Sequence, residues 1–253
     1  MMSRTLLVAL VTLAVACSGG GGGDRPDGST SAPATPKTPV DLATTGVVIG
    51  RILHDGESSE AKKVRMESSC SALHSTAITE RRVQVSADGG LRDAFVHVTG
   101  LDELGFPPPE GKVEVDQAGC LYVPRVVGVR VNQPVVFINS DPILHNVHTY
   151  AENNRSMNFS MPMKGQRIEK KFKKPEVMVA TRCDVHPWME AHLGVVDHPC
   201  FAVTGEDGTF RLENVPSGMR RIAVWHGTLG ELSGEVEVQA GASVELVLRY
   251  PAR

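Results

Sequence analysis

Cys183-Asp184-Val185-His186-Pro187-Trp188-Met189 sets a thiol, an imidazole and a thioether within seven residues. All three bind soft or borderline metal ions. A thiolate with a thioether favours copper, whereas structural zinc sites use Cys and His alone. Short apolar runs flank the stretch, Val177-Met178-Val179-Ala180 before it and Leu193-Gly194-Val195-Val196 after it. It reads as a loop joining two strands, with Cys183 and His186 bracketing a tight turn and Met189 one turn further on.

A centre that passes one electron must suit Cu(I) and Cu(II) without rearranging. Two imidazoles and a thiolate in a trigonal set, with a weak axial thioether, meet that need. The second imidazole must come from another strand, which would fix the site before metal arrives. Asn139-Ser140-Asp141-Pro142-Ile143-Leu144-His145-Asn146-Val147-His148 provides it through His145. On a strand, His148 faces away from His145. His192 is the alternative ligand, and would make the site richer in nitrogen.

Outward from this loop the chain reads as all-β. Aromatic residues are 5% of its 253 residues, while 25 Gly and 16 Pro punctuate many short runs. Strands are expected at Val47 to Leu53, Ala94 to Val98, Lys112 to Asp116, Val126 to Val131 and Gln133 to Asn139. Arg82-Val83-Gln84-Val85 with Asp88-Gly89-Gly90 carries a hairpin signal. Residues 57–77 are polar and give no clear pattern. Glu190-Ala191-His192 allows at most one helical turn. From His198 onward, strands and Gly- or Pro-bearing turns alternate to the C-terminus. About five strands in so short a segment make a thin independent core.

The ligand loop resembles that of the cupredoxins, the plastocyanin- and amicyanin-like blue copper proteins. Cys183, His186, Pro187, Trp188 and Met189 fit its Cys-x-x-His-x-x-Met spacing in order, and His145-Asn146-Val147 resembles the upstream ligand motif. The resemblance covers about residues 135–197. It implies a cupredoxin-like Greek-key sandwich with one type 1 copper ion held by His145, Cys183, His186 and Met189. Asn146 and Asp184 would support the ligands from behind, Asn146 by tying the two ligand-bearing segments together. Asp184 departs from the Ser or Thr usual after the cysteine, and a carboxylate there would lower the reduction potential.

The C-terminal segment, through Thr204-x-x-x-Gly208-x-Phe210 and Asn214-Val215-Pro216-x-Gly218, resembles carboxypeptidase regulatory-like modules of the transthyretin-like sandwich type. Such modules bind or scaffold and carry no catalytic residues. Their opening strand is missing there, and Gly46-Val47-Val48-Ile49-Gly50-Arg51-Ile52 looks like it. The expected division is a signal peptide at 1–16, a flexible tether at 17–45, a cupredoxin-like domain at 46–197 and a small C-terminal β-sandwich at 198–253. The alternative inserts the copper domain between strands of the second sandwich.

At the N-terminus, Met1-Met2-Ser3-Arg4 precedes an apolar run from Leu6 to Ala16, too short to span a membrane. Small residues lead into Cys17, and Ser18 with a glycine tract follows. This resembles a bacterial lipoprotein signal with Cys17 lipidated, several acyl chains giving stable anchorage. The segment to about residue 45 has too little apolar content to fold. Four cysteines then remain. With Cys183 assigned to metal, Cys70 and Cys120 are the expected disulfide, although three pairings are possible. Its loop length corresponds to about 4 kcal/mol in the chain-entropy model. Cys200 reads as a small buried apolar residue.

The formal charge of −3 lacks the basic surplus of nucleic-acid binders. Lys164, Arg167, Lys170, Lys171, Lys173 and Lys174 form a basic run, read first as a solvated edge strand and second as a docking patch for an acidic redox partner. No His-x-His pair of a multicopper enzyme is present, and the chain is expected not to be an enzyme. The expectation is a lipid-anchored envelope protein carrying single electrons between redox partners, with membrane contact only through its anchor. The alternative is a cupredoxin-fold binding or copper-holding module without a redox role.

Overall fold

The computed structural model describes residues 37–252. The expected signal peptide, Cys17 and most of the tether lie outside the described residues. Strand dominates, and one short α-helical turn, Ser68–Ser71, is the α-helix among the described residues.

The strands form two sandwiches. The first pairs a four-stranded sheet (Gln166–Lys170, Val135–Asn139, Val113–Gln117, Tyr122–Val123) with a five-stranded sheet (Asn158–Met161, His145–Tyr150, Glu176–Arg182, Glu190–Val196, Val126–Arg130). Inward-facing residues of both sheets, among them Val115, Phe137, Val147, Val179 and Leu193, form one buried core with Phe172 of the loop after Gln166–Lys170. Parallel pairings of Val135–Asn139 with Val113–Gln117 and of Glu190–Val196 with Val126–Arg130 require crossovers between the sheets. The basic run contributes Gln166–Lys170, an edge strand of the four-stranded sheet, where lysines oppose edge-to-edge pairing.

The second sandwich overturns the expected boundaries. Thr45–His54 lies between Thr209–Pro216 and Ser243–Tyr250, and Phe95–Val98 between Phe201–Val203 and Gly218–His226. Residues 45–54 and 95–98 therefore belong with the C-terminal strands, and the sandwich built from 113–196 is inserted between them. The physical reason is core size. The C-terminal strands share one core with Val48, Ile52, Leu91, Val96, Val98 and Leu101, which supplies the apolar area that about five strands lack. The assumed tether also ends earlier. Thr38–Pro39 pairs with Leu104–Gly105, and Asp41 caps a 3₁₀ turn at Leu42–Thr44.

The two sandwiches meet through Phe95, Val126 and Val196, with Phe201 and Trp225 packed alongside. Gly128 and Gly194 make that junction possible. A Cβ on Gly194 would lie 2.5 Å from the Phe95 ring, and one on Gly128 2.3 Å from the Phe201 ring.

Between the first two strands of the outer sandwich, residues 55–92 form a cap with little regular structure. Arg82 to Val85 form no strand; Val85 makes one isolated bridge to Leu91. Ser68–Ser71 carries Cys70, which is bonded to Cys120. Glu190-Ala191-His192 begins a strand, its residues alternating outward and inward, where a helical turn was allowed for.

Candidate metal centre

Sheet register brings the ligand segments together. His148 pairs with Arg182 across antiparallel strands. His145 is thereby carried past the end of the partner strand, to the loop that begins at Cys183. Two backbone hydrogen bonds close that loop, Met189 N–H to the His186 carbonyl at 2.9 Å and Cys183 N–H to the Met189 carbonyl at 3.3 Å.

His145, Cys183 and His186 converge, their ligand atoms all lying within 4.8 Å of one another. His145 Nδ1 is 2.9 Å from His186 Nδ1, and Cys183 Sγ is 3.6 Å from His186 Nδ1. All three side chains are buried. Met189 is fully buried in the same core cluster as Cys183. His192 is not among the converging groups. Ala191 and Leu193 point into the core on either side of it, so strand parity turns its ring the other way.

Asp141 supplies what the sequence reading missed. Its Oδ2 accepts from His145 Nε2 at 3.0 Å. Held there, the imidazole keeps its proton on Nε2 and presents a bare Nδ1 lone pair to the centre. Asp141 is itself fixed, accepting the N–H groups of Gly119 at 2.8 Å and Cys120 at 2.7 Å. Its own N–H donates to Asn139 Oδ1 at 2.9 Å. The signal was Asn139-x-Asp141 four residues before His145; the backbone donors from 119–120 left no local trace.

Asn146 joins the two ligand segments. Its Oδ1 accepts the Asp184 N–H at 2.6 Å, and its Nδ2 donates to Asp184 Oδ2 at 2.9 Å. Asp184 also accepts from Asn158 at 2.9 Å and from His148 at 3.0 Å. The His148 hydrogen bond, followed by those of the two asparagines, holds its carboxyl below the usual carboxylate range. Tyr122 donates to the Asn146 carbonyl at 2.8 Å. Burial, and then the nearby Cys183, push its hydroxyl well above the ordinary tyrosine value.

The Cys70–Cys120 disulfide covers the other ligand. Its sulfurs and the His186 ligand nitrogen lie within 4.8 Å of one another. Trp188 Nε1 donates to the Cys120 carbonyl at 3.0 Å, and its ring stands 5.2 Å from that of His186. His186 is consequently 1% exposed. Burial, then the neighbouring His145, hold its pKa below the ordinary histidine value. Cys200 sits apart, buried in the outer core, where burial pushes its thiol up to about 12.

The donor chemistry fits a small soft cation. Two nitrogens and a sulfur face one point, and the His145 proton is occupied elsewhere. Among solved structures, the chain is similar to a copper-containing nitrite reductase from Thermus scotoductus SA-01 (20% identity, TM-score 0.33), over 36% of this chain and 24% of that one. It spans only about a quarter of that enzyme. It is similar to a purple cupredoxin from Nitrosopumilus maritimus (23% identity, TM-score 0.27), over 33% of this chain and 98% of that one. A Cu(I) amicyanin variant gives 22% identity and a TM-score of 0.30, over 40% and 97%. No family model matches the chain, and no curated protein matches it. In the inserted sandwich the strands His145–Tyr150 and Glu176–Arg182, which lead into the ligand segments, lie side by side.

Proposed function

We propose that the chain is a mononuclear copper protein that passes single electrons between partners at a bacterial cell envelope. The convergence of His145 Nδ1, His186 Nδ1 and Cys183 Sγ in a buried, pre-built pocket carries this reading. Bound there, copper would supply one-electron chemistry between Cu(I) and Cu(II). The residues' part is to hold the donors still. Asp141 orients His145, Asn146 locks the loop to the neighbouring strand, and Met189 offers its thioether from the core. A pocket that does not rearrange favours fast electron exchange. Leu144 and Val185, each next to a histidine ligand in sequence, are exposed apolar residues suited to brief contact with a redox protein. Lipid attachment at Cys17 would keep the protein at the membrane surface.

The test is the visible spectrum of the Cu(II)-loaded protein. An intense thiolate-to-copper band is expected, absent in Cys183→Ser; a protein that takes up no copper or stays colourless sinks the reading. One observation favours a second reading, copper holding without electron transfer: the disulfide and Trp188 cover His186. Reversible one-electron voltammetry of the coloured protein separates the two.

A further inference from the structure

His192, turned away from the metal centre, lines a separate cavity of about 320 Å³. Five guanidinium groups surround that cavity, those of Arg81, Arg82, Arg92, Arg125 and Arg182. Arg81, Arg82 and Arg92 come from the cap, Arg125 immediately precedes the strand Val126–Arg130, and Arg182 ends the strand Glu176–Arg182. Two carboxylates, Asp93 and Glu190, share the lining, and Glu190 accepts from Arg182 at 3.2 Å. Glu80 and Glu206 pair with Arg125 and Arg92. Arg81 donates to the Ser59 carbonyl, a neutral partner. Neither Arg81 nor Arg82 makes an ion pair among the described residues. Arg81 and Arg82 are thus the two guanidinium groups here without a carboxylate partner, and with Asp93 also lining the cavity the named groups carry one net positive charge.

The lining also includes neutral groups. His226 is buried, and its Nδ1 accepts the N–H groups of Thr228 at 3.2 Å and Leu229 at 3.3 Å. That fixes the proton on Nε2, which has no protein acceptor among the described residues. Burial and the charge of Arg125 hold this ring at about 4, so it is neutral at ordinary pH. The His192 and Trp225 rings lie 4.8 Å apart beside it. Guanidinium forks with a buried imidazole N–H are the donor set that tetrahedral oxyanions accept.

We propose that this cavity binds a small molecule bearing a tetrahedral oxyanion, a phosphate or sulfate group. The two guanidinium groups without carboxylate partners, Arg81 and Arg82, are the ones free to take its oxygens. The volume leaves room for a small organic body against Trp225 and His192. The site stands independently of the metal, since no metal-centre donor lines it.

Calorimetric titration of the full chain with inorganic phosphate, sodium sulfate and sodium chloride, at matched ionic strength, tests the proposal. Phosphate and sulfate should bind saturably at one site per chain, and chloride should not. Arg81→Ala and Arg82→Ala should each weaken binding about tenfold. Both side chains are exposed, so melting temperatures without anion should stay at the wild-type value. Arg249→Ala removes an exposed arginine paired with Asp55 elsewhere and should bind like wild type. Flat phosphate and sulfate titrations overturn the proposal. So does equal weakening in Arg82→Ala and Arg249→Ala.

Discussion

Asp141 carries the most consequence of any single side chain at the centre. One oxygen holds the His145 proton, and both oxygens are themselves held by backbone N–H groups of the 119–120 turn. Asp141→Asn keeps the shape but presents an amide where two acceptor oxygens are needed. Copper affinity should fall 10- to 100-fold, the range for partners behind metal ligands, as measured by competition against a chelator of known affinity. Asn146 acts on folding as well. Asn146→Ala leaves the Asp184 N–H without its acceptor and removes a donor from the Asp184 carboxylate. Destabilisation of about 1–3 kcal/mol is expected, read from urea unfolding of the metal-free protein.

At the scale of elements, the ligand loop was legible because its donors are local in sequence. Three of them lie in seven residues, and strand patterns flank them on both sides. The cap of residues 55–92 was not legible. It is polar and aperiodic, and its order comes from distant groups: Ser58 and Ser59 bond to the backbone at 83–85, and Cys70 bonds to Cys120. His192 stayed ambiguous because its side depends on where the strand begins, and that boundary is set by pairing with Val126–Arg130. Glycine in that strand is a tertiary requirement. Gly194→Ala would push a methyl group into the Phe95 ring, at an expected cost of about 1–3 kcal/mol for overpacking. The urea midpoint of the variant should fall with the slope unchanged.

Over the whole molecule, the chain builds half of one sandwich, completes the other, and returns. That nesting was foreshadowed by the strand-like sequence at 46–52, but the pairing that proves it joins residues some 160–200 positions apart, beyond any local pattern. Nesting also buries histidines. His198 and His226 are both held at about 4, chiefly by burial. Their folded values lie below the unfolded value near 6.5. The unfolded chain therefore takes up more protons between these limits. Stability from this source is complete above about pH 6.5 and is lost as pH falls towards 4, by about 3 kcal/mol at most for each ring. Unfolding free energies at pH 7 and pH 4.5 should show the loss, and His226→Gln should shrink it.

The disulfide that roofs His186 also gives the centre a history. Before oxidation, Cys70 and Cys120 are two further thiols at the imidazole of His186, a ligand of the proposed copper centre. Copper arriving first meets a thiol-rich set, which prefers Cu(I) and would keep the cysteines from joining. Copper arriving after oxidation meets only the intended donors. The order of maturation therefore decides the product. Refolding with oxidant before Cu(II) should give the coloured protein. Refolding with copper supplied as Cu(I), kept reduced by excess ascorbate, and adding oxidant only afterwards should give a colourless Cu(I) form with free thiols, counted by alkylation and mass spectrometry. Identical products from both orders would show that the roof closes regardless of what lies beneath it.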